Sequence, residues 1–563
     1  MKIVLCVFIV GIFVAYLLTV LRRAAEPDFA AKGILSGEKL GYKLTALAFS
    51  SKKVRSGNGM SLRFVRKRLI AARKFIGELE SKGVPLEDCE RNFFNAYFRI
   101  DEALGKLTQS KKAFRSLPHI NGVPRLYSFC ELLVKSTGGL LGKESVRSAV
   151  NTYSAETPLG FREIVELENM LRFAVCEYLA IYAAKITAMR SREKSGNYLS
   201  VTAEYNARVC SAVNSLHTLG SFMTDKFVNS LSPVYRVLNE GNDSFYMLSE
   251  STKRMYLYEI ARVAKRRNMA EKTVAAEILF RSEKDGKDIS HYILAPKKSR
   301  GVQRAYAIGF CVAVVGLAVA SAFIVPRLGW LYALLALPIF AFDADFLLRR
   351  TAGRAVKRRY LPSYDVKYLD KAKHRTAILF PCFAATEEDI ADAFSHLSTV
   401  AAANPQDIFS YALLFDYPRS SAETAESDEA LDKKIREEFA RRKELHGRLC
   451  ALVRKRKRVS GEEYFQGYEK KRGAVLDFNK FMLSGEGEFS LKLGDTHLSE
   501  YVITLDSDTL TCDCAELVAM KAHPYCADSA ILSVNCKPNG KRSLYAKLFA
   551  GETGPGRYRQ SNA

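Results

Sequence analysis

Tryptophan is almost missing from this chain: Trp330 is the only one, and it lies inside an apolar run. Twelve cysteines are scattered without a C-x-x-C pair, and Cys512 with Cys514 makes a C-x-C that has no second pair at finger spacing. A structural zinc site is therefore not expected, and reduced thiols in a cytoplasmic compartment are. A phosphate loop is lacking too. "GLLGKES" (139–145) offers a glycine-lysine step, but Thr137 stands where the first glycine belongs and Glu144 follows the lysine. Acids are the minority charge, 61 Asp and Glu against 85 Lys and Arg, for a net charge of +24. That balance suits phosphate, nucleic acid or an anionic membrane face. No aromatic platform or nucleic-acid motif accompanies the "RKRKR" run at 454–458, so a solvated or lipid-facing strip is expected there and nucleic acid is not an expected partner. The apolar fraction of 48% excludes global disorder, and 563 residues imply about three or four units.

Charge is absent altogether from residues 3–21, IVLCVFIVGIFVAYLLTVL, a run long enough to cross a bilayer core. Arg22-Arg23 closes it where a cleavage site would otherwise fall, so a signal anchor is expected. Residues 305–325 form a second apolar run. Residues 328–348 form a third, interrupted by Pro338, Asp343 and Asp345, with a re-entrant segment as the alternative. The short link at Pro326-Arg327 makes these two a hairpin. Lys297, Lys298, Arg300 and Arg304 before it, and Arg349, Arg350, Arg354, Lys357, Arg358 and Arg359 after it, place both flanks in the cytoplasm. A multi-pass membrane protein with both flanks in the cytoplasm is the expectation, with the lipid bilayer as a partner.

Between the apolar runs, residues 60–300 read as helical. Leu171, Val175, Tyr178, Leu179 and Tyr182 recur at helical spacing, but Arg172, Glu177 and Lys185 interrupt them too often for a span, so a core helix is expected. From about residue 375 the texture becomes α/β. "RTAILFP" (375–381) and "FSYALLFD" (409–416) read as buried strands. Thr386 is the expected N-cap of the helix between them, residues 426–448 a charged helix, and "YVITLDSDT" (501–509) a further strand. Alternating strands and helices argue a parallel sheet covered on both faces, with its ligand beyond the carboxyl ends of the strands. The domain plan is an anchor at 1–23, a helical cytoplasmic domain at 24–304, a transmembrane hairpin at 305–348, a basic linker at 349–374 and an α/β domain at 375–563.

Asp416, Asp506 and Asp508 all fall at strand ends. Asp506 and Asp508 point the same way, because successive strand side chains alternate. They repel each other, and a magnesium or manganese ion bridging to a diphosphate would relieve that. Lys470-Lys471-Arg472-Gly473 reads as a basic turn whose cations and close-approaching glycine backbone serve the same diphosphate.

Longer stretches carry a resemblance. "HRTAILFP", "YALLFD", "GYEKKRGAVLDFN", "YVITLDSDT", "AHP" (522–524) and "LFAGETG" (548–554) follow one another as in cyclic β-1,2-glucan synthases. "NFFNAYFRIDEAL" (92–104), "LPHINGVPRLYSF" (117–129), "PLGFREIVELENMLRFAV" (158–175), "SPVYRVLNE" (232–240) and "RRYLPSYD" (358–365) resemble that family upstream. The resemblance implies a membrane enzyme that transfers glucose from UDP-glucose into a growing β-1,2-glucan and closes it into a ring. It implies that Asp416 contacts the nucleotide, that Lys471 and Arg472 meet the uridine or diphosphate, and that Asp506 and Asp508 bind the metal-diphosphate. "PCFAA" (381–385) and "CKPNG" (536–540) depart from the family pattern. In the family a catalytic acidic segment, an acceptor motif with an arginine-tryptophan pair, further spans and a phosphorylase-like domain come after "LFAGETG". The expectation is thus an amino-terminal portion, either a fragment or one piece of a split enzyme completed by a downstream-encoded polypeptide. By that resemblance 375–563 is a partial GT-A-type domain whose general base is expected to be absent from this chain, Asp528 being a weak candidate for it. A membrane protein that binds nucleotide sugars as a scaffold, without catalysis, is the alternative.

Overall fold

The computed structural model describes residues 37–50, 62–114, 116–120, 123–190, 198–242, 244–294, 300–324, 329–355, 361–458, 463–494, 499–506, 509–511, 513–527 and 529–532. It is mostly helical, with one small mixed sheet. The chain divides into two compact units, Met1–Phe245 with Lys253–Lys284, and Tyr246–Thr252 with Asp285–Ala563.

In the first unit helices pack on helices. Helix α1 (Leu62–Ser81) turns Val65, Leu69, Ala72 and Ile76 inward, the i, i+4, i+7, i+11 stripe of an amphipathic helix. Helix α2 (Leu167–Arg190) is the core helix the sequence predicts, with Leu171, Val175, Tyr178, Leu179 and Tyr182 all buried. Two of the charges that interrupt its apolar run are partnered. Arg172 holds Glu168 at 2.6 Å, and Glu177 accepts the Tyr127 hydroxyl at 2.7 Å.

Burial lifts the Glu177 carboxyl from its ordinary 4.5 to about 7; neighbouring Glu131 adds to the rise, while the Tyr127 hydrogen bond, Lys135 and Arg68 oppose it. The folded chain therefore keeps this proton to higher pH than the unfolded chain does. Its contribution to stability is complete below about 4.5 and is lost as pH rises through about 7. Glu177→Gln should remove that loss, raising stability above pH 7 by on the order of 2 kcal/mol. Urea unfolding of both proteins at pH 5 and pH 8, followed by helical circular dichroism, checks this; an unchanged pH 5-to-8 difference would contradict it.

The second unit holds the apolar hairpin region and the sheet. Helix α3 (Arg300–Ile324) has its apolar stretch at Tyr306–Ser321. It is followed by α4 (Gly329–Leu335) and α5 (Leu337–Ala355). Among the described residues no single helix is long and apolar enough to cross a membrane. The α4 helix and Leu337–Phe346 together meet that length and composition, but as a pair bent by 61°. Pro338, with no backbone N–H to donate, sits at the bend. The Tyr306 hydroxyl donates to Asp345 Oδ1 at 2.7 Å, tying α3 to α5. The expected anchor at 3–21 lies outside the described residues.

Five strands form the sheet: β1 (Thr376–Phe383), β2 (Phe409–Asp416), β3 (Leu449–Arg454), β4 (Phe489–Leu493) and β5 (Tyr501–Thr504). Their order is β4-β3-β2-β1-β5, parallel except for the antiparallel edge strand β4. Helices α6 (Glu387–Ala403), α7 (Ser427–Arg441) and α9 (Cys514–Lys521) cover one face, packing Ile390, Phe394, Leu397 and Ile435 on Ile378, Phe380, Leu413 and Val453. Helix α8 (Lys470–Ser484) covers the other, with Phe478 and Phe481 on Leu379, Leu414 and Leu452. Burial on both faces is why these strands read as unbroken apolar runs.

Local signals placed much of this correctly. Thr386 Oγ1 accepts from the Asp389 backbone N–H at 3.2 Å, and the Asp389 carboxylate accepts in turn from the Thr386 N–H at 2.9 Å. That reciprocal box starts α6. The charged helix is shorter than the expected 426–448, because after Arg441 the chain turns and enters β3. The "RRYLPSYD" and "AHP" stretches meet: the rings of Tyr364 and His523 lie 5.2 Å apart, and the Tyr364 N–H donates to the Ala519 carbonyl at 3.2 Å.

Candidate functional site

From β1 the chain winds outward through β2 to β3, then returns to lay β5 on the other side of β1. Strands β1 and β5 thus flank the point where the winding reverses, the place beyond whose carboxyl ends open α/β sheets bind their ligands. Phe383 ends β1 with its ring 62% exposed, in register with Asp416 at the end of β2. Asp506 follows β5 by two residues, and the Leu505 N–H on the Leu379 carbonyl at 2.9 Å keeps that segment against the sheet.

Lys471, in the first turn of α8, forms an ion pair with Asp506, and both side chains are about half exposed. Lys471 also lies near Cys382 at the end of β1. Burial pushes the Cys382 thiol up to about 12, with the lysine charge opposing. The structure therefore brings Lys471 and Asp506 together at the reversal point. Asp508 and Asp528 lie outside the described residues.

The other predicted residues sit differently. Lys470-Lys471-Arg472-Gly473 is the first turn of a helix rather than a loop, entered through Glu469 and Lys470 at φ of 51° and 47°, the left-handed region. Non-glycine residues pay conformational strain there. Arg472 faces solvent and meets Glu469 at 3.4 Å. Gly473 is buried, and a Cβ on it would collide with the Tyr468 carbonyl and come within 2.8 Å of Arg454 Nη2. Its missing side chain makes room for Arg454.

Arg454 is the residue that sequence reasoning missed. The "RKRKR" run is not a uniformly solvated or lipid-facing strip. Alternation turns Arg454 and Arg456 inward, while Lys455, Lys457 and Arg458 stay exposed. Arg454 Nη1 donates to both Asp416 oxygens (3.1 and 2.9 Å) and to the Lys470 carbonyl (3.1 Å). Its Nη2 donates to the Tyr468 carbonyl (2.8 Å) and its Nε to Asp477 (2.9 Å). A register shift against β4 falls between Val453 and Arg454, the kind of bulge that re-aims a side chain. Arg456 is held in turn by Asp428 at 2.5 and 2.8 Å and by the Pro418 carbonyl at 2.7 Å. Burial raises the Asp416 carboxyl, and Arg454 supplies the main opposing charge. One guanidinium thus couples the end of β2 to the start of α8. Two arginines spaced by two after an apolar run was the available signal.

Among the described residues no group of three or more His, Cys, Asp or Glu is arranged to hold a metal. The donor chemistry at Asp506 still fits a cation, since the Lys471 ammonium already sits on that carboxylate.

A doubly wound sheet with a lysine-aspartate pair at its reversal point defines the α/β class, and a similarity in sequence is more specific. The chain is 31% identical over 143 residues to the cyclic beta-(1,2)-glucan synthase NdvB of Rhizobium meliloti (strain 1021). The match covers 24% of this chain and only 5% of that protein. No family model matches the chain. The relationship is distant, and it points to a glycosyltransferase-like protein.

Proposed function

We propose that the α/β unit is the donor-binding part of a GT-A-type glucosyltransferase that takes UDP-glucose and extends β-1,2-glucan at a bacterial cytoplasmic membrane. The carrying observation is the Lys471–Asp506 pair at the point where the strand order reverses. A nucleoside diphosphate sugar needs its base held, its diphosphate neutralised and its anomeric carbon presented to the acceptor. The exposed Phe383 ring offers a stacking face for the base, and Asp416, steadied by Arg454, a hydrogen-bond acceptor. Lys471 and the solvent-facing Arg472 supply cations to the diphosphate. A magnesium or manganese ion, when bound, would be held by Asp506 and Asp508 and would neutralise charge on the departing diphosphate. The relative's name and the resemblance of "YALLFD" and "GYEKKRGAVLDFN" support glucose as the sugar and β-1,2-glucan as the product. For the hairpin reading the support is the bent α4–α5 pair, which has the length and composition of a span.

Titration calorimetry on the full chain tests this. UDP-glucose should bind in manganese, with affinity falling about ten-fold or more on chelation, as for a lost buried charge contact. ADP-glucose should bind more weakly. Equal affinity for the two nucleotides, or no binding, would overturn the donor-site reading.

A further inference from the structure

The outer face of α1 is left over from this account. Arg63, Arg66, Lys67, Ile70 and Lys74 recur at i, i+3, i+4, i+7 and i+11, so they line one stripe, opposite the buried Val65, Leu69, Ala72 and Ile76. No acid precedes Glu78 in the helix. Lys74 reaches Glu78 only at 3.9 Å, both well exposed, and among the described residues Arg63, Arg66 and Lys67 have no ion-pair partner. Ile70, 47% exposed, sits in the middle of the cations. Phe64, 42% exposed, flanks them, its ring covered by the Arg68 guanidinium at 4.2 Å. A helix that needed only water on this side would gain from acids at i+4, and this one has none beside its first three cations.

We propose that this face of α1 lies on an anionic bilayer surface, its cations on lipid phosphates and Ile70 and Phe64 dipping into the headgroup boundary. Charge complementarity favours any polyanion, but the two apolar side chains decide for lipid. A nucleic-acid backbone has no use for an exposed isoleucine, and Arg68 already covers one face of the Phe64 ring, leaving it a poorer platform for a base. The assignment does not depend on the sugar-transfer reading.

The single tryptophan makes a local test possible. The full chain carrying Trp330→Phe and Phe64→Trp has one indole, placed on this face. Combined with vesicles of brominated phosphatidylglycerol, its emission should be quenched and blue-shifted, and less so as salt is raised. Brominated phosphatidylcholine vesicles should leave it nearly unchanged. Arg63→Glu, Arg66→Glu and Lys67→Glu together should weaken the quenching titration by more than about ten-fold. Ile70→Asp alone, at an exposed site, should weaken it too, and far-ultraviolet circular dichroism establishes that each variant keeps its helices. Equal quenching by both lipids, no quenching by either, or a response to an RNA oligonucleotide instead of vesicles would overturn the proposal.

Discussion

Alanine in place of Arg454 is expected to cost about 3–5 kcal/mol of stability, the range for breaking a buried ion pair by removing one partner. Asp416 and Asp477 would lose their shared cation, and the Tyr468 and Lys470 carbonyls would lose their donor. Desolvation already pushes the Asp416 carboxyl up, so without Arg454 it would take up a proton more readily still. Arg454→Lys should recover only part of the loss, because an ammonium cannot span four acceptors held in a planar fork. Chemical denaturation measures the stability change. UDP-glucose titration of Arg454→Lys measures the second effect, a weakened donor site. Unaltered affinity in that variant would separate Asp416 from nucleotide binding and leave Arg454 a purely structural residue.

Asp506→Asn is expected to lower UDP-glucose affinity in manganese about ten-fold or more, while barely changing stability, since the side chain is half exposed. Lys471→Met should act differently. It removes a cation that competes for the Asp506 carboxylate, so manganese dependence should persist while affinity for the diphosphate falls. The pair of titrations, each with manganese and with chelator, distinguishes the two roles. Wild-type behaviour of Asp506→Asn in both conditions would place any donor site elsewhere on the chain.

Those features that depend on neighbours in sequence were legible in advance. Strand β2 runs over Phe409–Asp416, the apolar run that the sequence marks, and Thr386 caps α6 because a cap needs only the three residues after it. The core helix α2 was recognisable from spacing plus the charges that forbid a lipid environment. Strand β3 was missed because "LCALVR" is short and wedged between a charged helix and a basic run. Arg454 was misread for a related reason. Its partners lie 38 and 23 residues away, and its inward aim depends on a bulge, neither of which local composition reports. The basic "turn" became a helix start because α8 begins before Gly473, whose absent Cβ accommodates a neighbouring guanidinium.

The path of the chain between its two units has a consequence for how the protein is made. Tyr246–Thr252 belongs to the second unit although the segments on either side belong to the first. Ser249 hydrogen-bonds Ser363 at 2.9 Å across a separation of 114 residues, and the Ser363 N–H donates to Thr252 Oγ1 at 2.8 Å. On the ribosome, that short segment emerges long before its partners and waits while the helices around it assemble. The first unit, in turn, is complete only once Lys253–Lys284 has been synthesised. Domain-by-domain folding, the usual order for long chains, is thus staggered here. Any expression boundary drawn between residues 246 and 284 would cut through both units at once.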